Sequence, residues 1–500
     1  MAEPSSKLSF REKAGYAVGD ASANFVFQIL IVFQTGFYTD VMGISAAALG
    51  TMLLLVRVGD ALFDPLVGII ADRTTHKWGR FRPWLLWSAL PFALAFWAAF
   101  TVPEGWSTSA RLGYAAVTYA VLMAVYSLNN VPYSALMGVM TGDPNERTSI
   151  SSYRFVAGIG AAFVVQGFTL PLVGKLGGGN DAKGWSATVA IYAAIAIVFF
   201  IITFLTTKER IQPPKEQKSD FKQDIADLTK NIPWLAMFGM VLFVFTTLAL
   251  RGGSFYYYFT YYVDPAALSA FVEKAGLFVS EQDVASGGPW LGALDLFGLI
   301  VKPGGDASKV GFSLFNMLGT LVNIAGILVA KPLAVRFGKK AVFTLGLLGA
   351  TAIQFAFLAL ERGDVSNMFL LQILSSAAYG PTIPLLWAMM GDVADYSEWK
   401  TGRRATGFVV AGLVFALKAG LGFGGAIAGW LLAMYGYTPE TARNPEVLKG
   451  LSMMASVYSG LPFALGVLCM AFYPISKELN LSISRELADR RAAADEPSLS

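Results

Sequence analysis

Four charged side chains interrupt an apolar run of bilayer length. They are Arg57, Asp60, Asp64 and Asp72, in the stretch RVGDALFDPLVGIIADR from Arg57 to Arg73. At 3.6 residues per turn, Arg57, Asp60, Asp64 and Gly68 fall on one helical stripe. An ionised side chain at the centre of a membrane helix costs about 2.5 to 3.5 kcal/mol even on the lenient insertion scale, so this stripe faces a buried polar cavity rather than lipid. Two carboxylates one turn apart in such a cavity disagree about ionisation, because burial and like charge both favour the neutral form of one of them. The pair can therefore carry a proton or hold a cation. The plainer alternative is that Arg57 and Asp60 neutralise each other and only tie two helices together.

A second set of polar residues suits a hydroxyl-rich ligand. Asp20 and Asn24 stand one turn apart in the first apolar segment, and Tyr126, Asn129 and Asn130 cluster in the fourth. Carboxylates and amides hold sugars through paired hydrogen bonds, with an aromatic face, here Tyr126 or Trp387, under the ring. Unpartnered in lipid, each such group costs several kcal/mol, which places them on a cavity or, alternatively, on bonds between helices. Arg251 and Arg362 are expected to snorkel to an interface. The single His, His76, lies in a polar loop and cannot form a metal site alone, and the single Cys, Cys469, precludes an intrachain disulfide.

The elements that carry these residues follow from composition. Of 500 residues, 55% are hydrophobic and 14% charged, too apolar for a soluble domain, so the chain is an all-α polytopic membrane protein. Runs long enough to cross about 30 Å of hydrocarbon predict twelve helices. Six lie near 16–39, 46–72, 83–103, 112–141, 153–175 and 185–206, and six near 233–262, 309–335, 340–361, 365–395, 405–435 and 450–474. The first run is too long for a signal peptide and is expected to be retained. Of 38 Lys and Arg, 25 fall on the side of the termini and 9 on the opposite side, which predicts cytoplasmic termini and leaves nothing in the net charge of +4 to suggest nucleic acid.

The two halves echo each other. The basic, Gly-centred exit ADRTTHKWGRFRPW recurs six helices later as AVRFGKKAVF, and PYSALMGVM from Pro132 is echoed by PLLWAMMGD from Pro384. Such repeats predict two six-helix bundles, 16–206 and 233–475, around a central cavity. An N-terminal stretch 1–15, a central loop 207–232 broken by Pro213 and Pro214, and a tail 476–500 are expected in the cytoplasm. An outer insertion, 263–308, is long for a loop and either packs on the outer mouth or is passive. Asp72, Arg73, Asp143, Arg147, Asp392, Asp395 and Arg403 sit at cytoplasmic helix ends, where ion pairs between bundles would shut the inner side.

The strings GYAVGDASAN, FYTDVMGIS, DALFDPLVGIIADRTTHKWGRFRPW, NNVPYSAL, ERTSISSYRF and GDVADYSEWKTGRR resemble the glycoside-pentoside-hexuronide:cation symporters of the major facilitator superfamily. The resemblance covers nearly all of both bundles and leaves out the insertion and the tail. It implies the major facilitator fold, with Asp60 and Asp64 binding the coupling cation and Ser127 assisting. It further implies Arg154 beside the sugar and Lys418 linking the cation and sugar sites across the bundles, with Tyr126 in the sugar site. Where melibiose permeases carry sugar-binding aspartates this chain has Asn24 and Asn130, and Ser134 replaces a tryptophan, so melibiose itself is not the expected substrate.

The expected function is import of a glycoside, pentoside or hexuronide with a cation across the inner membrane, by a monomer without a cofactor. A lipid or lysolipid carrier on the same fold would want an apolar slot and fewer amides. A membrane-embedded enzyme would have to work with carboxylates alone, since the chain lacks G-x-x-x-x-G-K-[ST], H-E-x-x-H and any Cys/His cluster. Sodium-using melibiose permeases resemble this chain around Asp60 but have an amide oxygen available where Phe63 stands. A hard cation wants several oxygens, so the proton is the expected ion in preference to sodium.

Overall fold

A computed structural model describes residues 7–211, 228–402 and 406–495. Six long helices form the first half: α1 (Phe10–Val32), α2 (Ala46–Arg73), α3 (Arg82–Ala99), α4 (Thr108–Met140), α5 (Pro144–Gly177) and α6 (Asp181–Thr206). The second half holds α7 (Ile232–Tyr257), α8 (Ser308–Phe337), α9 (Lys339–Ala356), α10 (Val365–Thr401), α11 (Thr406–Met434) and α12 (Pro445–Ala471). The tail adds α13 (Lys477–Asp495). Ten of these helices are long and apolar enough to cross a membrane, and α2 and α3 complete the twelve by packing among them. Helices bond their own backbone, as a solvent without water requires.

The helices outrun the apolar stretches that announce them. α1 begins at Phe10, before its apolar run, because Ser9 and Glu12 form a capping box: Ser9 Oγ accepts the Glu12 N–H at 3.3 Å, and Glu12 Oε2 accepts the Ser9 N–H at 3.1 Å. α5 begins at Pro144, carrying the polar turns of ERTSISSYR before the bilayer is reached. Hydropathy marks depth in lipid, whereas helical bonding continues into water. At the start of α3 the Glu209 carboxylate accepts the N–H groups of Arg80, Phe81 and Arg82 at 2.8, 2.8 and 2.9 Å, satisfying donors that a helix start leaves free. The rest of the central link, with Pro213 and Pro214, lies outside the described residues, as does Arg403.

Within the first half α1 packs on α5 and α6, α3 on α4 and α6, and α2 on α4. Within the second, α7 packs on α11 and α12, α8 on α10, and α9 on α10 and α12. Three pairs cross between the halves: α2 with α11, α5 with α8, and α1 with α7. Shifting by six helices turns the first pair into the second, so the halves are related by an approximate two-fold axis.

The crossing seams are close where glycines let backbones touch. A Cβ added to Gly50 would lie 2.7 Å from the Ala426 carbonyl oxygen, and one on Gly429 would lie 2.6 Å from that of Ala46. On α7, a Cβ at Gly252 would lie 2.5 Å from the Ile31 oxygen. All these contacts fall in the half of the molecule away from the termini, the distal half. Nearer the termini the seam helices turn to their own bundles, Gly412 of α11 to Trp234 and Gly326 of α8 to Gly380. The bundles therefore meet closely in the distal half.

The distal closure has two further parts. α1 and α7 both run into π turns, Phe37–Val41 and Tyr258–Tyr262. There the buried Asp40 carboxylate accepts the hydroxyls of Thr39 (2.6 Å), Tyr437 (2.6 Å) and Tyr261 (3.0 Å). Beyond it the insertion folds into three short helices, Pro265–Lys274, Glu281–Ser286 and Gly288–Leu296, closed at the base by a bridge between Phe278 and Val301. It packs across the mouth onto the first bundle: Phe297 meets Phe168 with ring centroids 4.7 Å apart, and Lys175 lies 2.8 Å from Asp295.

The Gly50 contact leaves no room for a side chain. Gly50→Leu should lower the Tm of the solubilised protein, since overpacking of this kind costs about 1–3 kcal/mol. Gly113→Leu, whose Cβ meets nothing within 4 Å, should leave it unchanged. Equal Tm values for both variants would mean that the α2–α11 seam is not a packed contact.

Candidate functional site

The charged stripe of α2 meets the second bundle at one point. Lys418 of α11 places its Nζ 3.0 Å from Asp60 Oδ2 and 2.5 Å from Asp64 Oδ2, and 3.4 Å from the Ser127 hydroxyl of α4. Ser127 in turn donates to Asp60 Oδ1 at 2.8 Å. Asp60 is 4% exposed and Ser127 1%. The ammonium is thus held by oxygens of both carboxylates and one hydroxyl. Asp64 Oδ1 is buried and lacks a hydrogen-bond partner, and Asp60 Oδ2 has the ammonium near it without a well-directed bond. Two acids thus face one amine, so the cluster holds one more acid than base. Arg57 does not neutralise Asp60, contrary to the plainer alternative: its guanidinium lies 5.9 Å over the Tyr119 ring, and Asp60 is taken by Lys418.

A second cluster lies within the first bundle. Arg154 of α5 donates to Asp20 Oδ1 of α1 from Nε at 3.0 Å and from its terminal nitrogen at 2.6 Å. Asn24 Nδ2 donates to Asp20 Oδ2 at 3.1 Å. The guanidinium rests over the rings of Tyr16 and Tyr133, whose stacked centroids are 4.5 Å apart. Gly158 leaves room here, since a Cβ on it would stand 3.1 Å from Asp20 Oδ2 and 3.2 Å from Asn24 Nδ2.

Tyr126 is half-buried against Phe92, and Asn130 is half-buried one turn further along α4. Asn129 turns away, donating to Ser88 at 2.7 Å inside the bundle. Trp387 is 45% exposed, and among the described residues no ring stacks on it. The sequence reading passed over a third polar group, Gln28, Gln166 and Thr320. Gln166 donates to Gln28 at 2.7 Å and accepts from Thr320 of α8 at 3.3 Å, joining α1, α5 and the second bundle. Amides in apolar helices were the available signal, and Gln28 stands one turn beyond Asn24 on the stripe that begins at Asp20.

Part of the expected inner gate can be followed among the described residues. Asp392 pairs with Lys339 of its own bundle at 2.6 Å, and Arg147 donates to the carbonyls of Thr141 and Gly138 within its own turn. Asp72, Arg73, Asp143 and Asp395 lie at the same terminal ends of their helices. Arg251 is a correction. It does not reach an interface but is buried between α7, α9 and α10, donating to Gln354 at 2.9 Å and to Gln372, with Phe255 4.8 Å beneath it. A residue in the distal half of α7 pointing into the bundle cannot snorkel, and the two amide oxygens take the place of water. Arg362 does lie at the distal edge, bonded to the Tyr262 carbonyl at 2.7 Å.

Comparison with known proteins agrees with this architecture. Residues 15–279 and 305–477 match the family described as MFS/sugar transport protein, and the unmatched gap falls on the docked insertion. The chain is 32% identical over 485 residues to the inner membrane symporter YicJ of Escherichia coli strain K12, covering 96% of this chain and 95% of that protein. It is 31% identical over 491 residues to the putative glycoside/cation symporter YagG of the same organism, covering 98% and 97%. A bacterial homologue of the human lysosomal transporter Spinster, solved inward-facing and unoccupied, shares the fold with a TM-score of 0.59 at 12% identity, covering 94% of this chain and 98% of that one. The chain belongs to the MFS/sugar transport protein family and, within the major facilitator superfamily, to the glycoside-pentoside-hexuronide:cation symporters that its motifs resemble.

Proposed function

We propose that the protein is a secondary active symporter that brings a glycoside, pentoside or hexuronide inward with a coupling cation by alternating access. It would sit in the inner membrane with both termini in the cytoplasm, which makes the terminal face the cytoplasmic one. The observation that carries the reading is the Lys418 ammonium lodged between Asp60 and Asp64 of the opposite bundle. A cation or proton arriving at these carboxylates competes with Lys418, so loading the site and loosening the α2–α11 seam become one event. Breaking a buried ion pair without replacement is costly, which ties the release of Lys418 to the arrival of the substitute. Every group in the site comes from one chain, so a monomer suffices.

The sugar is read into the space beside Asp20, Asn24, Arg154, Asn130 and Tyr126. Arg154 and Asp20 satisfy each other when the site is empty, and a ring diol can take the place of either partner. Proton coupling is favoured over sodium. Asp60, Asp64 and Ser127 bring only a few oxygens to the centre and Phe63 adds none, while a proton needs only one carboxylate beside another in a buried place.

Three measurements test this reading. Asp60→Asn and Asp64→Asn should each abolish accumulation against a gradient, and normal uphill transport by both would refute the cation site. Asn130→Ala and Arg154→Ala should each weaken sugar binding at least tenfold, while unchanged affinity in both would show the pocket to be misplaced. Uptake into vesicles with a sodium gradient and equal pH on both sides should be weak. Strong sodium-driven accumulation that survives a protonophore would overturn the preference for protons.

A further inference from the structure

Away from the transport site, the second bundle holds a cavity of about 550 Å³ at its terminal end. Its walls come from α8, the α8–α9 turn, α10, the end of α12 and the first turn of α13, so the tail helix roofs it. Lys331, Lys339, Lys340 and Lys477 line it against one carboxylate, Asp392. Lys339 is paired with Asp392 at 2.6 Å. Lys340 and Lys477 donate to the main-chain carbonyls of Tyr473 and Val335, and among the described residues no acid pairs with Lys331, Lys340 or Lys477. The lining therefore keeps three uncompensated positive charges.

Three independent features make this a place for an anion. α9 starts in the cavity wall at Lys339, after Gly338 with φ +87°, and no side chain caps its first N–H groups. Its first turn carries Lys339 and Lys340 and no acid, the reverse of what a helix dipole favours, so the helix start is electrostatically incomplete as it stands. Tyr473, 1% exposed, also lines the cavity, and its buried hydroxyl has no partner. An unsatisfied buried hydroxyl costs free energy that an acceptor oxygen would recover.

The remainder of the wall is apolar, including Ala330, Leu385, Met389 and Ile475, all buried. Val335 and Leu481 continue it outward at 65% and 51% exposure. A free phosphate would use the donors and leave this wall in water, whereas a phosphate that bears an acyl chain would use both.

We propose that this cavity binds the headgroup of an anionic phospholipid from the leaflet on the terminal face. The phosphate lies between Lys331, Lys340, Lys477, the start of α9 and the Tyr473 hydroxyl, and an acyl chain follows Val335. Because α13 closes the cavity, the lipid also fastens the tail helix to the bundle. On the proposed orientation this is the cytoplasmic leaflet, but the site does not depend on the sugar or cation assignment.

Purified full-length protein in neutral detergent, titrated with phosphatidylglycerol or phosphatidylcholine and read by native mass spectrometry, tests the proposal. One phosphatidylglycerol should be retained at a concentration at least tenfold below that for phosphatidylcholine. Lys331→Gln should weaken this about tenfold, and Lys331→Gln with Lys340→Gln should abolish it. Tyr473→Phe, which keeps the ring packing, should weaken retention severalfold. Equal retention of the two lipids, or variants that bind as the parent does, would overturn the proposal. Inorganic phosphate that displaces phosphatidylglycerol at equal concentration would reassign the cavity to a soluble anion and overturn the lipid.

Discussion

A buried ammonium and two buried carboxylates cannot remain apart at the middle of a membrane. Each alone would carry a desolvation penalty of several kcal/mol, and only close opposition recovers it. Lys418 has no acid of its own bundle at hand, since Asp392 and Asp395 stand at the terminal end of α10, so it reaches across to Asp60 and Asp64 of α2. That constraint sets the register of α11 on α2 at mid-depth. Above it the seam can be as tight as glycine allows, with Gly422 and Gly425 of α11 laid on Arg57 and Leu53. The ion cluster therefore lies at the terminal-side edge of these glycine contacts, and on the proposed function a change in its occupancy acts on the seam itself.

The closed distal half is built with the same symmetry as the bundles. α1 and α7 correspond under the six-helix repeat, both end in π turns, and those turns meet each other through Thr39, Asp40, Tyr257 and Tyr261. This closure uses hydroxyls on one carboxylate, and among the described residues no cation pairs with it. Hydrogen bonds of this kind are directional and individually modest, so the seal can come apart in the alternate state without stranding an unpaired cation. The insertion adds a contact of another kind, an aromatic pair and an ion pair on α5, in the part of the chain outside the family match.

The stripe Arg57, Asp60, Asp64 was legible because charge in a bilayer-length apolar run has few uses, and periodicity alone puts the three on one face. The partner of the stripe was legible for the same reason at Lys418. What periodicity could not tell was which of two nearby cations Asp60 would choose, and the structure gives it Lys418 while Arg57 turns to Tyr119. Arg251 was misjudged because snorkelling depends on where around α7 the side chain points, and only the positions of Gln354 and Gln372, over a hundred residues later, decide that. Asp40 and Glu209 passed unnoticed for a related reason. Each is one acid in an ordinary context whose donors come from distant segments. Twelve helices in two halves, by contrast, followed from composition and repetition; the ends fell short where capping and polar turns extend a helix beyond lipid, and overshot at the third helix, which stops at Ala99.

The bundles are built alike and loaded unequally. Asp20, Asn24, Asp60, Asp64, Ser127 and Arg154 all belong to the first, while the second sends Lys418 to the ion cluster and Thr320 to the glutamine pair. On the proposed function, groups carried by one half keep their mutual geometry when the other half rocks, so the contacts they make to a ligand need not be rebuilt during transport. The second bundle's other deeply placed cation, Arg251, is satisfied inside that bundle by amide oxygens and does not compete for the α2 carboxylates. Among the described residues Lys418 is the one ammonium set against these carboxylates. On the proposed function coupling then needs no long relay of contacts, because the group that would sense the cation is itself part of the seam between the bundles.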